Sequence, residues 1–426
     1  MDISSLPGFR EFFPEDMALR RHIFRVWREV AERYGFVEYD GPPLEPLELY
    51  TRKSGQEIVG QLYAFTDRGD REVALRPEMT PTFARMVSAR AAALPKPIKW
   101  FSIPQLFRYE RPQRGRTREH FQLNLDIVGE AHVIADAELV AAAIDMLRAF
   151  GLGPDDFVAR ISDRRLVRAV LIQCGVPEEG LLAAFEALDK ADREPEEKTS
   201  ETLVAAGADG EGARRILALG ELSLREVVEA YGEASDVLEA AGRLERFFGH
   251  LDAFGLGGFA EFDAGLVRGL AYYTGLVFEL WDRRGELRAI CGGGRYDDLL
   301  AALGGTDSPA LGFGMGDVVL GELLKERELV PEVAPAVEDF VVFVSDAERD
   351  LALRLVRALR SRGRRVGFDY RGRSVGRQFK AADQAGASRA LVLGPDEVAR
   401  GVVVARSMET GGEEEMPLAP LLDERE

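Results

Sequence analysis

Phe107-Arg108-Tyr109-Glu110-Arg111-Pro112-Gln113-Arg114-Gly115-Arg116-Thr117-Arg118-Glu119-His120-Phe121-Gln122 stands between two runs with strand character. Before it, Ile98-Lys99-Trp100-Phe101-Ser102-Ile103 is rich in aromatic and β-branched residues. After it, Phe121, Leu123, Leu125 and Ile127 alternate with Gln122, Asn124 and Asp126, the period of a strand with two unlike faces. Successive side chains of a strand point opposite ways, so Gln122, Asn124 and Asp126 share a face, as do Arg108 and Glu110. The intervening loop carries Arg111, Arg114, Arg116 and Arg118 around Gly115, with Pro112 stiffening its start. Two strands that aim polar side chains at one surface, joined by a guanidinium-rich loop, suit a polyphosphate, because guanidinium groups bind phosphate bidentately and stay charged. Spacing alone fits a hairpin with a solvated basic loop equally well.

The 426 residues allow roughly three domains. With 46% hydrophobic and 30% charged residues, the composition is that of a globular protein with a large core. No apolar run reaches the ~18 residues of a membrane span, and Met1-Asp2-Ile3-Ser4-Ser5-Leu6-Pro7 lacks the regions of a signal peptide. Cys174 and Cys291 are too few for a disulfide framework or a thiolate zinc site, which points to the reducing cytoplasm. His22, His120, His132 and His250 have no metal-ligand spacing, so no metal held by protein groups alone is expected. The net charge of −18 argues against nonspecific nucleic-acid coating but not against local basic patches.

Working outward, residues 13–35 read as a packing helix, with Leu19, Ile23, Trp27 and Val30 at helical spacing and Gly35 at its end. A strand at Phe36–Tyr39 stops at Gly41-Pro42-Pro43. Ser54-Gly55-Gln56-Glu57 and Ala74-Leu75-Arg76-Pro77-Glu78-Met79-Thr80 follow, the latter placing an acid and a hydroxyl two positions apart, as an ammonium ligand requires. Residues 136–150 read as a helix and 155–171 as strand then helix; 173–256 is Ala/Leu/Glu-rich and all-α. Two polar, glycine-bearing strings come next: Arg268-Gly269-Leu270-Ala271-Tyr272-Tyr273-Thr274-Gly275, and Cys291-Gly292-Gly293-Gly294-Arg295-Tyr296-Asp297. Between them, Asp282-Arg283-Arg284-Gly285 reads as a hairpin turn. Ala310-Leu311-Gly312-Phe313-Gly314-Met315-Gly316 then reads as a strand entering a helix. Beyond Pro331, strands alternate with helices in a small α/β domain, where 11 basic residues face 2 acidic ones between Arg349 and Lys380.

The string Arg108-x-Glu110, the arginine loop and Phe121-Gln122-x-x-x-Asp126 resemble motif 2 of class II aminoacyl-tRNA synthetases, in the histidyl-tRNA synthetase form. Arg76-Pro77-Glu78-x-Thr80, Arg268 to Gly275 and Gly292 to Asp297 resemble signatures of that family, and the helix and strand of 13–39 resemble motif 1. The implied fold class is α/β (α+β): a class II catalytic domain with an antiparallel sheet flanked by helices, an all-α insertion and an α/β anticodon-binding domain. Implied boundaries are 1–172 and 257–330 for the catalytic parts, 173–256 for the insertion and 336–426 for the last domain.

The resemblance implies an ATP-dependent histidine–tRNA ligase, a homodimer acting on L-histidine, ATP with Mg2+, and tRNA(His). Arg108 would hold the α-phosphate, with Arg268 opposite it on phosphate and carboxylate. Glu110 would meet adenine or magnesium, Arg116 the terminal phosphates, and Phe121 or its neighbour His120 adenine. Glu78, Thr80 and Gln122 would receive the ammonium, Asp126 and Tyr273 the imidazole, with Tyr272, Tyr296 and Gly293 lining the pocket. Gln113 and Arg114 would meet the tRNA acceptor end, and Arg371, Arg373 and Arg377 the anticodon region. The chain departs from the pattern twice: Ala271 stands for an aspartate, and Val319 for a phosphate-binding arginine of motif 3. Those departures keep two rivals open: a regulatory subunit of ATP phosphoribosyltransferase, and a tRNA-binding module without catalysis.

Overall fold

Apolar alternation makes the strands, and the face each must bury selects its partners. In a computed structural model, residues 4–51, 60–91, 93–111, 113–191, 194–268, 272–285, 287–305, 307–331 and 336–423 are described. Two compact units result, Met1–Pro331 and Glu332–Glu426. The strands of the first are β1 (Val37–Glu38), β2 (Leu44–Pro46), β3 (Tyr63–Thr66), β4 (Glu72–Leu75), β5 (Ile98–Ser102), β6 (Gln105–Phe107), β7 (Glu119–Val128), β8 (Phe157–Asp163), β9 (Ala260–Phe262), β10 (Leu276–Asp282), β11 (Cys291–Arg295) and β12 (Ala310–Gly316). Its main sheet runs β1-β5-β7-β12-β11-β10-β8-β9, with β6 also on β7. The pairs from β5 to β8 are antiparallel, and the outer pairs β1–β5 and β8–β9 are parallel. This is the expected antiparallel sheet flanked by helices.

Register sorts the residues of the sheet. Gly312 lies opposite Asp126, Gly314 opposite both Asn124 and Gly292, and Gly292 opposite Glu279, so these positions share one face. Leu123, Leu125, Phe313, Met315 and Phe278 occupy the other, inside a core with Trp27, Val30, Val140 and Ile144 from helices Asp16–Arg33 and Val133–Arg148. The polar face of β7 is not solvated, as simple alternation suggests: Asn124 and Asp126 are buried too. Gly35, at φ 75°, ends the first helix in the left-handed region that glycine tolerates.

Two buried arginines tie loops to this frame. Arg295 reaches the core side of the sheet and binds both oxygens of Asp136 at 2.9 Å, plus the Glu130 carbonyl at 3.0 Å. Arg243 adds a second cation on Asp136 at 3.0 Å. Arg76 is buried: it donates to the carbonyls of Gly41 at 2.7 Å and Gln105 at 3.0 Å, and meets Asp40 at 2.8 Å. Its clamp fixes the chain that leads from β4 to Glu78.

Helices Leu181–Lys190, Glu196–Ala205, Gly210–Leu217, Leu224–Tyr231 and Ser235–Ala253 fill the all-α stretch. Ser235–Ala253 packs on Val133–Arg148 and on Arg164–Gln173, which joins its apolar residues to the sheet's core. In the second unit, β13 (Asp339–Phe343), β14 (Val366–Phe368), β15 (Arg389–Leu393), β16 (Val402–Ser407) and β17 (Glu413–Pro417) order as β14-β13-β15-β16-β17. Helix Arg349–Ser361 packs on β13 and β14. The edge strand β17 has no apolar alternation to betray it; Glu413, Glu414 and Glu415 are exposed, a charge row that discourages further strand pairing. Among the described residues no helix is long and apolar enough to cross a membrane.

Replacing Arg295 by Met would leave the buried Asp136 with Arg243 alone. A loss of about 3–5 kcal/mol is expected, the usual penalty for breaking a buried pair. Urea unfolding followed by tryptophan fluorescence measures it, because Trp27, Trp100 and Trp281 all lie in the first unit. A loss under ~1 kcal/mol would mean that Arg243 suffices for Asp136.

Candidate functional site

The polar face of β7, β12, β11 and β10 is roofed by two adjoining cavities. The inner, of about 260 Å³, is lined by Glu78, Thr80, Asn124, Asp126, Tyr272, Tyr273 and Tyr296. The outer, of about 600 Å³, is lined by Gly115, Thr117, His120, Glu279, Trp281, Arg288 and Val319 among others. Arg108, Glu110, Arg116, Gln122 and Arg268 line both, so the cations gather where the cavities meet.

Missing side chains make room for those present. A Cβ on Gly312 would lie 2.2 Å from Asp126 Oδ1, one on Gly314 2.7 Å from Gln122 Cδ, and one on Gly292 1.7 Å from Arg268 Nη1. At the floor of the inner cavity the Tyr296 hydroxyl donates to the Asp126 carboxylate. Burial raises the Asp126 pKa to about 7, against the opposing effect of that hydrogen bond. Burial likewise raises Tyr272, followed by the charge of Glu78 and the neighbouring Tyr273, so the phenol stays protonated. Such a pocket offers a carboxylate poised near neutrality, aromatic walls and a buried acid, Glu78.

At the junction, Arg108 Nε donates to the Pro77 carbonyl at 2.9 Å, and Arg116 pairs with Glu110 at 2.8 Å. Arg268 Nη1 meets Glu279 Oε1 at 2.5 Å, and the other oxygen of Glu279 accepts from Trp281 Nε1 at 3.0 Å. Burial opposes the charge on Arg268, yet Tyr273 and Glu279 hold its pKa above the ordinary value. Its backbone is left-handed, φ 53°, and Arg164 donates to its carbonyl at 3.2 Å. A non-glycine residue held this way stores about 1–3 kcal/mol of strain, which surrounding contacts must offset. Burial, then the charges of Arg108 and Arg10, lowers the His120 pKa to about 3, so a neutral imidazole faces the outer cavity.

Most residues singled out in the sequence therefore converge: Glu78, Thr80, Arg108, Glu110, Arg116, Gln122, Asp126, Arg268, Tyr272, Tyr273 and Tyr296. Two do not. Phe121 turns to the core face, 5.1 Å from the Phe24 ring and 6.3 Å from that of Phe12, with Arg20 over it; strand parity gives the cavity to His120 instead. Gly293 is one register off for the same reason: a Cβ there would strike Phe313 Cβ at 2.4 Å, and Gly292 faces the cavity. Gln113 and Arg114 sit on an exposed loop, with Arg114 paired to Glu326. Arg371, Arg373 and Arg377 are exposed in the second unit, and Arg373 is tied to Asp369 at 2.6 Å. Ala271 and Ser54 to Glu57 lie outside the described residues. Sequence reading missed Gln61, Glu279, Trp281 and Arg288. The i, i+2 spacing of Glu279 and Trp281 was the available signal for those two.

A family model described as "Histidyl-tRNA synthetase" matches residues 8–316, which contain every lining residue of both cavities except Val318 and Val319. The chain belongs to that family. A second model, "Anticodon binding domain", matches 338–424. A protein of Opitutus terrae named "Histidine--tRNA ligase" is 47% identical over 97% of this chain and 95% of its own length. Among solved structures, the histidyl-tRNA synthetase of Nostoc shares the fold at TM-score 0.83 and 24% identity, covering 99% of this chain and 98% of that one. A Bacillus halodurans protein described as "ATP phosphoribosyltransferase regulatory subunit/histidyl-tRNA synthetase" shares it at TM-score 0.77 and 22% identity, covering 92% and 99%.

The Asp126 carboxyl keeps its proton to about pH 7 in the folded chain, against 3.8 ordinarily, so the native state binds more protons across that window. Its contribution therefore makes folding stability fall as pH rises from about 4 to about 7. Asp126→Asn should flatten that slope, with its stability relative to wild type improving between pH 5 and pH 8 in urea titrations. Parallel pH profiles would refute the assignment.

Proposed function

We propose that the chain is a histidine–tRNA ligase, which activates L-histidine with ATP and passes it to the 3′ end of tRNA(His). Its carrying observation is the placement of Arg108 and Arg268 at the junction of a small polar pocket and a larger, arginine-lined one. In this reading histidine occupies the inner cavity. Asp126 and Tyr273 receive its imidazole, Tyr272 and Tyr296 wall it, and Glu78, Thr80 and Gln122 take its ammonium. Buried partners of that kind reject analogues that leave them unpaired. ATP lies in the outer cavity with adenine near His120 and its α-phosphate at the junction.

A histidine carboxylate oxygen then attacks the α-phosphorus, the bond to the β-phosphate oxygen breaks, and pyrophosphate leaves. Negative charge builds between two anions, so fixed guanidiniums act by positioning and charge stabilisation. Arg108 and Arg268 do this from the junction, and Arg116 addresses the outer phosphates. Magnesium bound with ATP would neutralise part of the phosphate charge, and Glu110, on the wall of both cavities, is the carboxylate that would hold it in this reading. In the second half, a ribose hydroxyl of the tRNA terminus attacks the activated carbonyl, with loss of AMP and a proton.

We place the catalytic parts at 1–172 and 257–330, the insertion at 173–256 and an anticodon-binding domain at 336–426. Arg371, Arg373 and Arg377 face tRNA there, and Gln113 and Arg114 face the acceptor end. A cytoplasmic homodimer completes the proposal on family likeness. The full-length 47% identity to a histidine–tRNA ligase supports a ligase over a regulatory subunit, a role that shares the fold.

Histidine-dependent ATP–pyrophosphate exchange tests this. Exchange is expected in the wild type and about 10²–10³-fold weaker in Arg268→Ala, the loss typical of a preorganised charge-stabilising donor. A folded wild type without exchange would overturn the ligase reading, and unaltered exchange in the variant would remove Arg268 from it.

A further inference from the structure

Val319 leaves the outer cavity without the arginine that motif 3 of this family supplies, yet another arginine side chain reaches the same point of the cavity wall. Arg288 lies on the chain returning from the β10 turn toward β11, and it lines the outer cavity together with Val319. Their side chains converge on one point of the arginine loop: a Cβ built on Gly115 would be 3.5 Å from Val319 Cγ2 and 3.9 Å from Arg288 Cδ. Two segments far apart in sequence thus meet where the loop turns at Gly115, at φ 73°.

Of the other arginines, Arg108, Arg116 and Arg268 line both cavities. Arg116 is paired with Glu110, Arg268 with Glu279, and Arg108 is anchored through Nε on the Pro77 carbonyl. Arg114 turns away to Glu326 and lines neither cavity. Arg288 is exposed and lines the outer cavity but not the inner one that contains Asp126, so in the ligase reading it stands in the cavity that takes the outer phosphates.

We propose that Arg288 binds the β- and γ-phosphates of ATP, taking over the role that an arginine at position 319 plays in the family. This rests on the ligase reading for the orientation of the nucleotide. Arginine suits the task because its planar fork holds phosphate bidentately from a long, adaptable stem. Arg288 would steady the pyrophosphate as it leaves, while the α-phosphorus stays with Arg108 and Arg268. It is a binding residue for the leaving group and does not line the inner cavity.

Calorimetry with Mg-ATP and with AMP tests this directly, without relying on turnover. In Arg288→Ala, ATP affinity should fall about 10-fold or more, as loss of a charge-assisted phosphate contact implies, while AMP affinity stays within a factor of about two. Arg288→Lys, which keeps the charge but not the fork, should fall between. Adding Val319→Arg to Arg288→Ala should restore most of the ATP affinity. Equal weakening of ATP and AMP would mark a structural role and overturn the proposal, as would unchanged ATP affinity or a failed restoration. A wild type that binds neither nucleotide would instead overturn the ligase reading.

Discussion

Close approach of side chains to backbone at three positions in the middle of the main sheet governs the rest of the first unit. Gly292, Gly312 and Gly314 lie side by side across β11 and β12, and each occupies space that a Cβ would deny to Arg268, Asp126 or Gln122. A central sheet position normally carries a large apolar residue, because burial of such side chains is what stabilises a sheet. Here the stabilising burial is moved to the opposite face, where Leu123, Leu125, Phe313 and Met315 meet two helices. The sheet can therefore carry a polar hollow on one side without losing its core on the other.

The hollow is full of charge, and the structure manages it by pairing. Arg116 with Glu110 and Arg268 with Glu279 each bring a carboxylate to a guanidinium that a phosphate would also attract. These partners hold the cations in position, and in the proposed reaction such fixed cations would need less reorganisation as charge develops. Glu279 also fixes Trp281, so one carboxylate sets both the arginine and the aromatic wall beside it. Arg268 carries backbone strain as well, and the hydrogen bond from Arg164 to its carbonyl is part of what holds it there.

The same economy of arginine explains the second unit. Its basic stretch reads as a polyanion surface, but several of those residues are structural. Arg364 joins Arg389, from beyond the stretch, on the buried Asp339, Arg360 donates to the Val366 carbonyl, and Arg362 ties down the Pro420 carbonyl. Arg371, Arg373 and Arg377 are exposed beside Tyr370, which is 88% accessible, and Arg354, Arg357 and Lys380 are exposed too, so the basic surface is shared between structural and open cations.

Sequence alone determined the strand alternation of 121–127, the helix stopped at Gly35, the all-α stretch and the residue types of the site. Each is local: side-chain period, turn chemistry and the need of phosphate for guanidinium act over a few residues. Tertiary structure decided which face each strand residue took, and so replaced Phe121 by His120 and Gly293 by Gly292. It also turned Arg295 from a signature residue into a core tie on Asp136, and brought Arg288 beside Val319. Those outcomes depend on register and on partners more than a hundred residues apart, or on a loop closing over a strand from another part of the chain. Facing and proximity of that kind are properties of the packed sheet, and no single stretch of sequence contains them.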